Sequence, residues 1–307
     1  MSRFLAACLM GLLGTGEAAP ADLEVRVIAD IAFLAAGRTE RLDLYLPVLD
    51  PDARPLPAVV MIHGGGWTGG DKAQAREQSI GRTLARAGYV MASINYRLGA
   101  NSFPENVLDA KNAVRFLRAH AAEYRVDPER IAVMGGSAGG HLALMVAYTE
   151  GMKDLEPEQP YPGVSSRVRA VIDLYGPTNL LTRQEVTKEG KPTGVLRDAN
   201  TPEVLGATRT GNQGLWQQAS PTTHVRKDVP PTLILHGKAD DTVDYEQSIE
   251  LARTLERAGA IHELVVVDGV GHTFDLTTWQ RKPMVRDLRP VVLEFIRKHV
   301  GAGYARP

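Results

Sequence analysis

Cysteine is almost missing from this chain: there is one, Cys8, in 307 residues. That excludes a disulfide framework, a cysteine-rich zinc site and an iron-sulfur cluster within one chain. An excess of charge of either sign is missing too, with 35 Lys plus Arg against 36 Asp plus Glu and a net charge of -1. Without a strong positive field the chain has little with which to grip a phosphate backbone, so nucleic acid is not an expected partner. No repeat period or low-complexity tract stands out. What is present is 44% apolar and 23% charged residues, enough to bury a substantial core in one domain or at most two.

A run long enough to span a bilayer is also lacking. The apolar stretch at 4–13 is too short for a permanent span. It follows Arg3 and precedes the small residues of Gly14-Thr15-Gly16-Glu17-Ala18-Ala19, the order of a secretory signal peptide. Residues 1–19 are therefore expected to be a signal peptide cleaved near Ala18 or Ala19, and the mature domain, 20–307, to be exported to the periplasm or secreted. Leu5-Ala6-Ala7-Cys8 resembles a lipoprotein processing site, but cleavage there would leave almost no hydrophobic segment ahead of the cut. If Cys8 leaves with the signal, the mature protein has no thiol.

Apolar alternation at 23–33 and 41–46 around a Gly37 turn predicts an antiparallel strand pair. Beyond it the pattern changes. Ala58-Val59-Val60-Met61-Ile62 is continuously apolar, as a strand buried on both faces requires. Further strands are predicted at 89–95, 130–134, 168–174, 231–235 and 261–267. Helices are predicted around Ile80 and Leu84, from Pro104 onward with Val107, Ala110, Val114 and Leu117 on one side, at 245–258 and at 284–299. Strands alternating with amphipathic helices predict an α/β domain, a mostly parallel sheet covered on both faces. Residues 151–167 are expected to be a surface loop. Residues 179–229 are polar, punctuated by Gly and Pro, and far longer than an ordinary connection. They are expected to form a small cap or lid, with a decorative insertion as the alternative.

Gly135-Gly136-Ser137-Ala138-Gly139 matches G-x-S-x-G between a predicted strand and a helix-compatible run. A serine on such a sharp turn is strained, so the residues two before and two after it must be small. The turn lifts the hydroxyl above the sheet edge at a helix N-terminus, where negative charge is favoured. A Gly-rich phosphate-binding or packing turn is the plainer alternative. A serine hydroxyl needs a base, and the base needs an orienting acid. Asp240 and Asp241 lie just past the 231–235 strand and His272 just past the 261–267 strand, both at the edge that carries Ser137. Of the other histidines, His120 and His299 fall on helices, His141 packs one turn beyond Ser137, His262 opens a strand, and His63 and His236 are placed to hold loops. His224, in the expected cap, is the one rival base. Asp240 is preferred to Asp241 as the acid because successive loop residues diverge in direction. Asp268 is read as structural.

Attack on a carbonyl creates an oxyanion that must meet preplaced N-H donors. His63-Gly64-Gly65-Gly66-Trp67 lets backbone approach a substrate closely, and the donors expected are Gly65, Gly66 and Ala138. Trp67 and Trp216 are candidate substrate-binding residues, with burial in the core as the alternative. Gly64 to Gly69 also satisfies the dinucleotide pattern G-x-G-x-x-G, but the acidic residue that reading needs at the end of the next strand is absent. His262-Glu263 has no second histidine four positions on, so it is not a zinc-protease helix.

Together these motifs resemble the α/β-hydrolase family over roughly residues 42–300. The set His63-Gly-Gly-Gly-Trp67, Gly135-Gly-Ser-Ala-Gly-Gly-His141, His236-Gly-x-x-Asp240 and Gly271-His272 looks most like secreted carboxylesterases of the feruloyl and acetyl-xylan esterase-like branch. It is also similar to hormone-sensitive-lipase-like esterases, which carry Asp where this chain has Gly136. The resemblance implies the α/β-hydrolase fold, a triad of Ser137, Asp240 and His272, no cofactor and no metal. The substrates it implies are small-molecule or carbohydrate esters of short acyl groups, including plant-polysaccharide decorations. Two other readings use the same residues: an amide-cleaving relative such as a peptidase or arylformamidase, and a ligand-binding relative without turnover. Oligomeric state is not legible.

Overall fold

The computed structural model describes residues 23–304, and the expected signal segment 1–19, with Cys8, lies outside the described residues. In chain order, β1 (Val25–Ile31) and β2 (Leu42–Pro47) form the expected antiparallel pair. They are followed by β3 (Leu56–Ile62), α1 (Ala75–Arg86), β4 (Val90–Ile94), α2 (Glu105–Ala119), β5 (Val126–Gly136), α3 (Ala138–Tyr148) and β6 (Val171–Leu174). A hairpin of β7 (Gln184–Val186) and β8 (Pro192–Leu196) then leads to the short helices α4 (Thr201–Leu205) and α5 (Gln213–Gln218). The chain finishes with β9 (Thr232–Gly237), α6 (Glu246–Ala258), β10 (His262–Val267), a small hairpin of β11 (Thr278–Trp279) and β12 (Lys282–Pro283), and α7 (Arg289–His299).

Eight strands form one sheet in the order β1-β2-β4-β3-β5-β6-β9-β10. Only β1-β2 and β2-β4 are antiparallel; every other neighbour pair is parallel. The continuous apolar runs are explained by cover on both faces. Ala58, Val60 and Ile62 of β3 join a core with residues of α2, α3 and α6, while Val59 and Met61 point the other way into a core with α1 and α7. Parallel register brings the carboxyl ends of β3, β5, β6, β9 and β10 to one edge, Ile62 opposite Gly135 and Gly135 opposite Asp173. Among the described residues, no helix is long and apolar enough to cross a membrane.

Three stretches add detail to the expectation. The last helix starts at Arg289 rather than 284, because the backbone before it is committed elsewhere: the Met284 N-H donates to the Thr277 carbonyl at 2.7 Å and the Leu288 N-H to the Leu276 carbonyl at 2.8 Å. Pro290 then sits in the first turn, where its missing N-H costs nothing. Residues 151–167 run over the surface as expected and are pinned from beneath. The buried Lys111 ammonium reaches Glu156 at 2.6 Å, and Ser166 donates to the same carboxylate. Residues 179–229 are an ordered insertion, in which Leu180, Val204, Leu205, Trp216 and Ala219 are continuous with the main core.

Candidate active site

The turn between β5 and α3 holds Ser137 at φ 57° and ψ -123°, a conformation that side chains other than Gly avoid. The turn is locked by its own backbone, with the Ser137 N-H on the Leu174 carbonyl at 2.8 Å and its carbonyl accepting from His141 N-H at 3.1 Å. The position before it also explains a sequence peculiarity. A Cβ on Gly136 would stand 2.7 Å from Arg76 Nη1 and 3.0 Å from the Tyr175 hydroxyl. Arg76 and Tyr175 occupy the space next to this position, so any side chain here would require the arginine to shift.

The structure brings Ser137, His272 and Asp240 together. His272 Nε2 lies 2.9 Å from Ser137 Oγ, and His272 Nδ1 lies 2.6 Å from Asp240 Oδ2. Asp240 is fully buried, while Ser137 and His272 are half-buried. Burial opposes ionisation of Asp240, but hydrogen bonds from His236 and His272 overcome it and hold this carboxyl far below the usual carboxylate range. Its Oδ1 accepts the Thr242 N-H at 2.8 Å and the Val243 N-H at 2.9 Å. His236 Nε2 stands 3.2 Å from Asp240 Oδ2 and 3.1 Å from the Val243 carbonyl. Both are acceptors, so Nε2 carries a proton and His236 serves the acid loop. An ionised Asp240 makes His272 Nδ1 the donor, which leaves the Nε2 lone pair facing the Ser137 hydroxyl.

The other candidates fall outside this chain of hydrogen bonds. Asp241 is exposed and accepts from the Thr242 hydroxyl at 3.1 Å. Asp268 forms a loose surface ion pair with Lys238 at 3.4 Å. His224 faces the Gln218 carbonyl at 2.7 Å within the insertion.

Past β3, the chain turns beside the nucleophile. Gly65 has φ 122°, and a Cβ there would collide with the Gly69 carbonyl, so the loop closes only with glycine. Among the described residues the N-H groups of Gly65 and Gly66 have no protein acceptor, and that of Ala138 opens α3, where no intrahelical partner exists. All three residues line one cleft of about 370 Å³ together with Ser137 and His272.

Trp67 and Trp216 separate. Trp67 lines the cleft, with its indole N-H held by His141 Nδ1 at 3.2 Å. Burial pushes the His141 imidazole down to about 4, and its Nε2 donates to the Ala219 carbonyl at 2.7 Å, so a neutral ring ties the glycine loop after β3 to the insertion. Asn200 adds a second tie, donating to the Gly66 carbonyl at 3.3 Å and the Thr68 hydroxyl at 3.1 Å. Trp216 does not reach the cleft. It is fully buried, its N-H donates to the Ala207 carbonyl at 2.9 Å, and Arg209 lies over its ring at 5.2 Å. Its apolar bulk anchors the insertion, which is the core alternative weighed from sequence.

Four residues at the site carried no sequence argument. Tyr175, at the end of β6, packs edge-on against the His272 ring at 4.8 Å and donates its hydroxyl to the Phe274 carbonyl at 2.8 Å. Arg76 donates to that hydroxyl and pairs with buried Glu77. Arg183 and Arg197 come from the insertion. Tyr175 follows a strand whose end reaches the same edge, a signal that could have flagged it; isolated arginines in polar stretches give none.

A family model described as BD-FAE matches residues 42–255, more than half of the chain. The chain is 31% identical over 253 residues to the probable carboxylic ester hydrolase LipM of Mycobacterium tuberculosis, covering 80% of this chain and 56% of that protein. It therefore spans little more than half the length of the curated relatives it matches. Among solved structures, a truncated carbohydrate esterase from gut microbiota superposes with a TM-score of 0.77 at 27% identity, covering 92% of this chain and 98% of its own. Esterase 2 of Thermogutta terrifontis gives a TM-score of 0.68 at 30% identity, covering 94% and 98%. The sheet order, the serine turn and these likenesses agree: the fold is the α/β-hydrolase fold, and the chain belongs to the BD-FAE family of α/β-hydrolase esterases.

Proposed function

We propose that this protein is a serine carboxylic-ester hydrolase, and that the observation carrying the proposal is the hydrogen-bonded line Ser137-His272-Asp240 beside the unpaired N-H groups of Gly65, Gly66 and Ala138. Ser137 Oγ bonds to the ester carbonyl carbon as its proton passes to His272 Nε2. The oxyanion rests on the three N-H groups. The ester C-O bond then breaks, and the leaving alcohol takes the proton from His272. Water repeats the sequence on the acyl-enzyme, releasing the carboxylic acid and restoring Ser137. Asp240 keeps the imidazole in the tautomer that can accept a proton and stabilises it once charged. No step requires a cofactor.

The modest cleft, walled near Ser137 by glycines and Ala138, favours short acyl groups. Acetyl or feruloyl esters of plant polysaccharides fit the reading, and the likeness to an ester hydrolase and a carbohydrate esterase supports the ester class. Residues 1–19 support export to the periplasm or exterior as a signal peptide. The test is release of 4-nitrophenol from 4-nitrophenyl acetate, together with labelling by an organophosphate. Wild type turns the ester over and gains the adduct on Ser137, whereas Ser137→Ala loses at least about 1,000-fold in kcat and takes no label. Undiminished turnover in Ser137→Ala overturns the proposal.

A further inference from the structure

The side chains that line the cleft include three arginines, Arg76, Arg183 and Arg197, and no aspartate, glutamate or lysine. Arg76 is engaged with Glu77 and Tyr175. Arg183 stands just before β7 and Arg197 just after β8, joined across the base of the hairpin by the Arg197 N-H on the Arg183 carbonyl at 2.9 Å. Arg183 is 5% exposed. It spends Nη2 on the Thr242 carbonyl at 3.1 Å, and its buried Nε has no partner. Arg197 donates Nη1 to Glu185 at 3.0 Å, and its Nε is likewise buried and unpaired.

A buried guanidinium with an idle N-H beside a second guanidinium is a costly arrangement. Burial and the charge of Arg197 push Arg183 down to about 10, while Asp244, Asp240 and Glu185 act the other way. None of those three carboxylates lines the cleft. Asp240 is occupied by His272, and Asp244 Oδ2 accepts the Gln184 N-H at 2.8 Å. Arg183 and Arg197 thus bring positive charge to the cleft with no carboxylate among its lining residues. The rest of the lining mixes polar Gln74, Asn200, Thr242 and Thr273 with apolar Trp67, Pro177 and Val243.

We propose that the preferred substrate is an ester that itself carries a carboxylate, received by Arg183 and Arg197 of the insertion while Ser137 attacks the ester carbonyl. The inference rests on the esterase reading and adds the substrate's charge. A planar guanidinium fork matches a carboxylate, and two guanidinium groups lining one cleft bind it better than they bind any neutral ester of the same shape. The carboxylate can belong to either half of the ester: a sugar acid acylated on a hydroxyl, or a half-ester of a dicarboxylic acid.

Two matched pairs distinguish those sources. Acetylated galacturonate against acetylated galactose, followed by acetate release, places the charge on the alcohol. Mono-4-nitrophenyl succinate against 4-nitrophenyl butyrate places it on the acyl group. In wild type the anionic member of at least one pair is favoured about tenfold or more in kcat/KM, carried mainly by KM, and 0.5 M NaCl reduces the preference. Arg197→Gln and Arg183→Gln each cut the anionic-to-neutral ratio about tenfold, and Arg197→Lys restores part of it. Arg183 also touches the acid loop through Thr242, so Arg197→Gln remains decisive if Arg183→Gln folds poorly. If wild type hydrolyses the neutral esters through Ser137 but shows no anionic preference in either pair, or if the ratio is unmoved in Arg197→Gln, the inference fails and the esterase reading stands. If wild type hydrolyses none of the four esters, both fail.

Discussion

Replacing Asp240 by asparagine changes one oxygen into an NH2 group and barely alters the shape of the side chain, yet its surroundings allow the amide no good orientation. With the amide oxygen kept toward Thr242 and Val243, the NH2 faces His236 Nε2, itself a donor, and His272 Nδ1. His272 then accepts at Nδ1 and carries its proton on Nε2, aimed at Ser137 Oγ, which it can no longer deprotonate. With the amide turned over, the NH2 opposes two backbone N-H groups. Either way two charge-assisted hydrogen bonds are lost at a fully buried site. At roughly 1.5–3 kcal/mol each, Asp240→Asn should lose about 3 kcal/mol or more of folding stability at neutral pH, and kcat should fall about 10,000-fold through the wrong tautomer. Asp241→Asn, at an exposed position, should stay within about twofold in rate. Because the folded Asp240 carboxyl lies below its unfolded value near 3.9, wild type keeps this stabilisation above that pH and loses it as pH falls further. Asp240→Asn should lack that acid-dependent part. Initial rates on 4-nitrophenyl acetate and urea unfolding at stepped pH measure both effects. Retention by folded Asp240→Asn of more than a tenth of wild-type kcat, or a larger loss in Asp241→Asn, would refute the assignment.

Asp173 gives a pH signature of the opposite sign. It is fully buried on β6 with one oxygen on the Gly176 N-H at 2.9 Å and the other unpartnered, and burial pushes its carboxyl up to about 7. Its folded form holds a proton that the unfolded form releases near 3.9, so its contribution is complete at low pH and lost as pH rises through about 7. Urea unfolding from pH 4 to 8 should show Asp173→Asn gaining on wild type by up to about 1.4 kcal/mol per pH unit across that window; parallel stability curves would show that Asp173 does not titrate there. Trp216→Ala should cost about 3–5 kcal/mol of unfolding free energy by leaving a cavity in the insertion. A change confined to KM, with urea unfolding unmoved, would instead place Trp216 in contact with substrate.

Much of the architecture was written in apolar spacing. Unbroken runs such as that ending at Ile62 can be satisfied only between two layers, and the glycines after them marked where the chain had to turn tightly at one edge. The serine turn, the acid loop and the histidine loop were visible for the same reason: each is a strand end followed by residues of limited type. Boundaries set by hydrogen bonds between distant segments were not visible, and helix α7 starts late because Met284 and Leu288 are bonded to a hairpin that the helical pattern does not reveal. The two tryptophans show a second limit. Their composition is identical, and only packing decides that one borders the cleft while the other fills the insertion. Arg76, Arg183 and Arg197 show a third, since an arginine amid polar residues reads as a solvated surface group until tertiary contact removes the water.

The double fastening of the glycine loop, through Trp67, His141 and Ala219 and again through Asn200, makes that loop and the insertion one mechanical unit. On the proposed mechanism, loosening the insertion would slacken the amides that must be rigid when charge builds on the carbonyl oxygen. The proposed chemistry could then be retuned by editing residues of the insertion that never meet the ester.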